Sequence, residues 1–181
     1  MWQDRRLIWR LQRGRVDALR LIYDKYKRDL LKLAIVLTGD VCCSEDVVQD
    51  VFLKLAESYD RIHDHDNLKN FLITCLVNRI RTVRRDCGRH QAARCDRPAT
   101  EGDSVSTPDQ WAVVNEQLQR LGQAMAELPM EQREVVTLRF EGGMGFRQIA
   151  RIQSASINTV QSRYRYGMEK LRSLLDSEVE A

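Results

Sequence analysis

Apolar residues along this chain recur three or four positions apart and nowhere alternate one by one over a strand-length run, so the pattern predicts helices only. A short amphipathic piece, Arg5 to Arg13, carries Leu7, Ile8 and Leu11 and closes at Gly14. A long helix follows from Val16 to Thr38. It has Leu19, Ile22, Tyr23, Tyr26, Leu30, Leu33, Ala34 and Leu37 on one side and Arg20, Lys25, Lys27, Arg28 and Lys32 on others. Gly39 is placed to end it in a left-handed cap. The next helix is expected from Ser44 to about Ser58, with Ser44 as N-cap and Glu45 and Asp46 in the first turn, where the helix dipole favours acids. A polar loop from Ser58 to Asn67 contains His63 and His65. Leu68 to about Arg85 then reads as a strong helix with Leu68, Phe71, Leu72, Cys75, Leu76, Ile80 and Val83 inward.

Periodicity vanishes between Cys87 and about Asp109, where Gly88, Pro98, Gly102, Ser104, Ser106, Thr107 and Pro108 dominate. About 20 residues of flexible chain would separate its ends by roughly 25 Å. Helical spacing resumes with Trp111, Val114, Leu118, Leu121 and Met125 into Leu128. Pro129 needs no N–H and suits a helix start; Val135, Val136, Leu138 and Phe140 follow as apolar surface, until Gly142, Gly143 and Gly145 stop the helix. Phe146, Ile149, Ala150 and Ile152 mark a brief helix. Ser156 is placed to cap another in which Ile157, Val160, Tyr164, Met168 and Leu171 recur at helical spacing. The expected architecture is all-α, with two small helical domains at 1–86 and 111–181 joined by a flexible linker at 87–110. The C-terminal domain ends in a helix-turn-helix.

That last helix turns Asn158, Thr159, Gln161, Ser162, Arg163 and Arg165 outward, a mixture of amide, hydroxyl and guanidinium groups suited to base edges and phosphates in a major groove. Charge sharpens this picture more locally than globally. The 181-residue chain is only +3 overall, whereas Glu131 to Arg172 holds eight bases against four acids, and Asp66 to Arg89 holds six against two. A three-helix bundle with a solvated basic face would share the first pattern, because many helical hairpins mimic the motif. A different surface lies on the helix Asp46-Val-Val-Gln-Asp-Val-Phe-Leu-Lys-Leu55. There Val48, Val51, Phe52 and Leu55 share a buried face, and Asp46, Gln49, Asp50 and Leu53 recur on another. This small acidic and amide surface suits a basic protein partner better than DNA.

Asp46-Val-Val-Gln-Asp-Val-Phe52 closely resembles the D-x-V-Q-[DE]-x-F signature of bacterial RNA polymerase sigma factors of the extracytoplasmic function (ECF) type, in the sigma-70 family. Glu127-Leu-Pro-Met-Glu-Gln-Arg-Glu-Val135, with Ile149-Ala150 and Asn158-Thr-Val-Gln-Ser-Arg163, resembles the C-terminal domain of the same family. Gly14-Arg-Val-Asp-Ala-Leu19 is similar to the opening of the N-terminal sigma domain. The resemblance implies an N-terminal region 2-like domain that docks on the polymerase clamp helices and melts the −10 promoter element. It also implies a region 4-like domain that reads the −35 element, and an anti-sigma factor as a further partner. Carried over by position, Asp46, Gln49, Asp50 and Leu53 would face the clamp helices of the largest subunit. His63, Asn67, Lys69, Asn70, Asn78, Arg81 and Arg85 would serve the −10 element. Ser156, Thr159, Gln161, Ser162, Arg163 and Arg165 would serve the −35 element. The chain departs from the family in carrying Gln153-Ser154-Ala155 where Leu-Gly-Ile is usual, Phe71 where Trp is frequent, and Thr82 where an acid is common.

Other chemistry finds little footing. Cys42, Cys43, Cys75, Cys87 and Cys95 share no repeated spacing, which suits a reduced cytoplasmic chain. His63-Asp-His65 and Cys87-Gly-Arg-His90 match no closed zinc pattern. No segment approaches the ~20 apolar residues of a membrane span. Without a phosphate-binding glycine loop, a Ser/His/Asp grouping or paired carboxylates, neither enzymatic activity nor a cofactor is expected. The competing function is a stand-alone helix-turn-helix regulator whose N-terminal half dimerises or senses a signal.

Overall fold

The structure, a computed structural model, describes residues 2–57, 67–93 and 116–177, and among these every regular element is a helix. In chain order they are α1 (Trp2–Gln12), α2 (Val16–Thr38), α3 (Val41–Glu57), α4 (Leu68–Ala93), α5 (Glu116–Ala126), α6 (Met130–Phe140), α7 (Phe146–Gln153) and α8 (Ile157–Ser177).

Helix α2 has the expected bounds because its ends are punctuated. Gly39 adopts φ 77° and its N–H returns to the Ile35 carbonyl at 2.8 Å, satisfying an end carbonyl that an L-residue would reach only with strain. Helix α3 starts earlier than expected. Asp40 is its cap, its carboxylate accepting the Cys43 N–H at 2.8 Å, while Ser44 is fully buried one turn inside with its hydroxyl bonded to the Asp40 carbonyl. Helix α4 begins where expected, with the Asn67 side chain accepting the Lys69 N–H at 3.1 Å, but it continues to Ala93 rather than ending near Arg85. Residues 94–115 lie outside the described residues.

Helices α2, α3 and α4 pack on one another, and α1 lies on α2. Their shared core is Ile22, Leu30, Leu33, Leu37, Val48, Val51, Leu55, Leu68, Leu72, Leu76 and Ile80, all nearly or fully buried. Burying a Leu or Ile side chain contributes about 1.5–3 kcal/mol each, so this layer sets the geometry of everything mounted on it. Ile73 and Val77 of α4 are also buried in this core. Asp4 fastens α1: its carboxylate accepts from Lys25 Nζ at 2.6 Å and from the Tyr26 hydroxyl at 2.8 Å. Burial and the neighbouring Asp4 carboxylate push the Tyr26 hydroxyl up to about 12.

The second group is built around α8, which contacts α5, α6 and α7. Gly167 lets α6 and α8 approach closely, since a Cβ there would sit 3.2 Å from Val136 Cγ2 and 3.3 Å from Gln132 Cβ. The two groups touch. Helix α2 packs on α5 and α6, α4 packs on α7, and Val135, Leu138, Met144, Ile149 and Val160 join the same continuous core as the first group.

Candidate polymerase and promoter interfaces

Helices α2 and α3 enclose a groove of about 670 Å³ lined by Leu19, Tyr23, Lys27, Val48, Gln49, Phe52 and Leu53 among others. Its floor is aromatic and aliphatic, with Tyr23 and Phe52 edge to face at 4.8 Å. Its rim carries Arg20, Lys27 and Glu45. Leu53 is 54 % exposed and Gln49 is exposed, so two of the four expected clamp-facing residues meet at this groove. Asp46 is exposed on the same helix. Asp50 is half-buried and engaged elsewhere, its carboxylate taking Arg79 Nε at 2.7 Å and tying α3 to α4. The α2 wall comprises Leu19 and Tyr23, which sequence spacing puts in the core stripe, and Lys27, which it puts on another face; neither pattern by itself marks a groove.

The residues expected to serve the −10 element do not share one setting. Asn78 and Arg85 are exposed on α4, and Asn67 caps its start. Lys69 stands 3.4 Å from Asp29 of α2, a loose pair at the surface worth little to stability. Asn70 is half-buried, its carbonyl accepting the Thr74 hydroxyl. Arg81 is turned into the contact between the two helical groups, bonded to Glu134 and to the Ile152 carbonyl. His63 falls outside the described residues.

In the C-terminal group, α7, a turn and α8 make the helix-turn-helix. The Gly145 N–H donates to Gln148 Oε1 at 3.0 Å at the start of α7, and Ser156 Oγ accepts the Thr159 N–H at 3.0 Å at the start of α8. The turn residue Ser154 takes φ 49°, ψ 41°, the left-handed conformation that the usual glycine would adopt freely and that costs an L-residue about 1–2 kcal/mol. Ser156, Asn158, Thr159, Gln161 and Arg165 are exposed, and Ser162 is half-buried in the same outward row. Arg163 lies on the flank of the helix, half-buried, with Nη1 donating to Gln153 Oε1 at 2.8 Å. Ile157 is partly exposed, and Phe140, expected as packing surface, is 63 % exposed at the end of α6 with its ring 6.3 Å from Tyr164.

Among the described residues no group of three or more His, Cys, Asp or Glu is placed to hold a metal, and no helix is long and apolar enough to cross a membrane. Of the cysteines with described side chains, Cys75 is half-buried and burial raises its thiol pKa, which lowers its reactivity.

A short helix, a turn and a capped polar helix mounted on an all-α scaffold define a helix-turn-helix DNA-binding protein. Residues 22–90 match the family model of sigma-70 region 2, and residues 118–171 match that of sigma-70 region 4. The ECF RNA polymerase sigma factor SigL of Mycobacterium tuberculosis is 33 % identical over 161 residues, covering 87 % of this chain and 88 % of the relative. The ECF RNA polymerase sigma-E factor of Escherichia coli is 26 % identical over 188 residues, covering 98 % and 94 %. Among solved structures, the sigma factor RpoE of Bartonella quintana, in complex with the anti-sigma factor NepR, aligns with a TM-score of 0.73 at 24 % identity over 89 % of this chain and 98 % of that one. CnrH in complex with the cytosolic domain of CnrY aligns at 0.69 and 23 % identity, over 96 % of this chain and 97 % of that one. The chain belongs to the sigma-70 family, in its ECF branch. It is a sigma factor that directs RNA polymerase to promoters.

Proposed function

We propose that the two helical groups divide promoter recognition between them and that core polymerase supplies all of the chemistry. The groove between α2 and α3, with Gln49 and Leu53 on its wall and Asp46 and Asp50 on the neighbouring surface of α3, takes the clamp helices of the largest subunit. An apolar floor with a mixed-charge rim is the anatomy of a protein–protein site rather than of a DNA site. Helix α4 and the segment before it serve the −10 element through His63, Asn67, Lys69, Asn70, Asn78, Arg81 and Arg85. Melting holds unstacked bases beside a basic helix while cations grip the backbone. Unstacking costs a few kcal/mol per step, more than a small domain supplies, so melting depends on binding energy from the polymerase.

The −35 element is read from α8, and the observation that carries the reading is its exposed row of Asn158, Thr159, Gln161 and Arg165 above a capped N-terminus. The protein works in the cytoplasm, beside its polymerase, and has no catalytic activity of its own. An anti-sigma factor is a further partner; the related sigma factor RpoE with its bound anti-sigma factor NepR supports that class. Footprinting on a promoter tests the division. Polymerase reconstituted with this chain protects both elements and opens the downstream one, whereas protection of duplex by the chain alone, unchanged by polymerase, would favour a stand-alone regulator.

A further inference from the structure

The side chain of Gln153, the last residue of α7, is used at both ends. Its Nε2 donates to the Glu131 carbonyl in the first turn of α6 at 3.0 Å, and its Oε1 accepts from Arg163 Nη1 of α8 at 2.8 Å. One amide therefore ties three helices, and its orientation is fixed, because a flipped amide would set NH2 against a guanidinium and oxygen against a carbonyl. We propose that Gln153 is a positioning residue for promoter reading, holding Arg163 as a brace that sets the pitch of α8, and that Arg163 acts through this brace rather than by reading one base. The proposal rests on the assignment of −35 reading to α8. Its test uses polymerase reconstituted with Q153L, R163A or R165A and a panel of duplexes carrying every single base change in the upstream element, with full helicity of each variant checked by circular dichroism. Q153L and R163A should each weaken upstream-element binding roughly tenfold or more, evenly across the panel, as lost hydrogen bonds to a charged group would. A loss by R163A confined to one base pair, or unchanged binding by Q153L, overturns the brace. If wild-type binding ignores every base change, the −35 assignment itself fails, a different result from either.

A second feature stands on separate observations. Arg81 of α4 grips Glu134 of α6 with both ends of its guanidinium, Nε to Oε2 at 3.2 Å and Nη2 to Oε1, and gives Nη1 to the Ile152 carbonyl of α7 at 2.6 Å. Glu134 is only 2 % exposed, and a carboxylate so placed is tolerated only when paired. Next to it, Arg84 donates to the Leu37 carbonyl of α2 at 2.9 Å and contacts Met130 Sδ of α6. We infer that Arg81 and Glu134 form a latch that keeps the free sigma factor closed.

The closed form cannot engage a promoter at both places. Elements centred near −35 and −10 lie about 25 base pairs apart, roughly 85 Å along straight duplex. A compact body the size of the described part of the chain has a radius of gyration of about 15 Å and is roughly 40 Å across. Arg81, one of the residues assigned to the −10 element, is also occupied while the latch is shut. Promoter binding thus needs the groups to part, and any fraction of molecules held closed lowers apparent affinity by that fraction. On opening, Glu134 returns to water and Arg81 to DNA, so the pair is replaced rather than merely broken.

The test is small-angle scattering of the free full-length chain, with association to core polymerase measured alongside. E134Q should enlarge the radius of gyration by roughly 5 Å or more and bind core polymerase severalfold faster. The conservative E134D, which keeps the carboxylate, should leave the radius closer to that of wild type than E134Q does. Equal radii and association rates for wild type and E134Q overturn the latch. These readings are taken without promoter, so they fail or succeed independently of the −10 assignment.

Discussion

Replacing Asp50 with lysine is expected to weaken association with core RNA polymerase about tenfold or more. Two effects run in the same direction. The carboxylate that takes Arg79 Nε at 2.7 Å disappears, and a second cation arrives beside that guanidinium, so the α3–α4 pairing that holds the groove wall turns repulsive. The α3 surface beside the groove also changes sign, and like charge facing a basic partner slows encounter as well as weakening the complex. Asp50 and Arg79 are both about one-third exposed, so the fold itself should lose no more than about 1 kcal/mol. Fluorescence titration against core polymerase, with circular dichroism confirming an intact helical fold, separates the two contributions. Core affinity within twofold of wild type would remove α3 from the docking surface.

The largest expected loss of stability comes from Leu72→Ala. Leu72 is fully buried on α4 in the core that α2 and α3 share, and Leu→Ala at such sites costs about 2–5 kcal/mol, through lost transfer energy plus the cavity left behind. Urea unfolding followed by far-ultraviolet circular dichroism should show the midpoint falling with little change in slope. A midpoint shift worth under 1 kcal/mol would mean that α4 is not held by this core. Since α4 carries the residues assigned to the −10 element, the same variant should lose promoter opening before it loses binding of the upstream element.

How far these sites were legible in the sequence depended on the range of the forces that build them. The all-helical fold was written in apolar spacing, and α2 has both expected ends because Gly39 marks one of them. The expected start of α3 at Ser44 is one turn too late: Asp40 is an equally good cap by residue type and is the one the structure uses, while Ser44 is buried inside the helix. Ile73 and Val77 lie off the expected inner face of α4, yet both are buried at the edge of the same apolar stripe, where neighbours beyond α2 and α3 widen the covered face. On α8 the outward row of Asn158, Thr159, Gln161 and Arg165 followed directly from a 3.6-residue period.

What the sequence could not show were pairings between distant residues. Arg81 and Glu134 stand 53 positions apart; the resemblance assigns Arg81 to DNA, and Glu134 alone reads as an ordinary charge on a helix. Gln153 looked like a mere departure in the turn, yet its two hydrogen bonds give it a structural reason to be there. Phe140 erred the other way, an apolar residue at helical spacing that the end of α6 leaves largely in solvent.

Mapping the 5′ ends of transcripts made on genomic DNA by core polymerase, with and without this chain, tests the central claim most directly. Addition of the chain should create a discrete set of new start sites sharing two sequence blocks, one about 10 and one about 35 base pairs upstream, with spacing set by two domains gripping one duplex. Start sites identical with and without the chain would contradict the account.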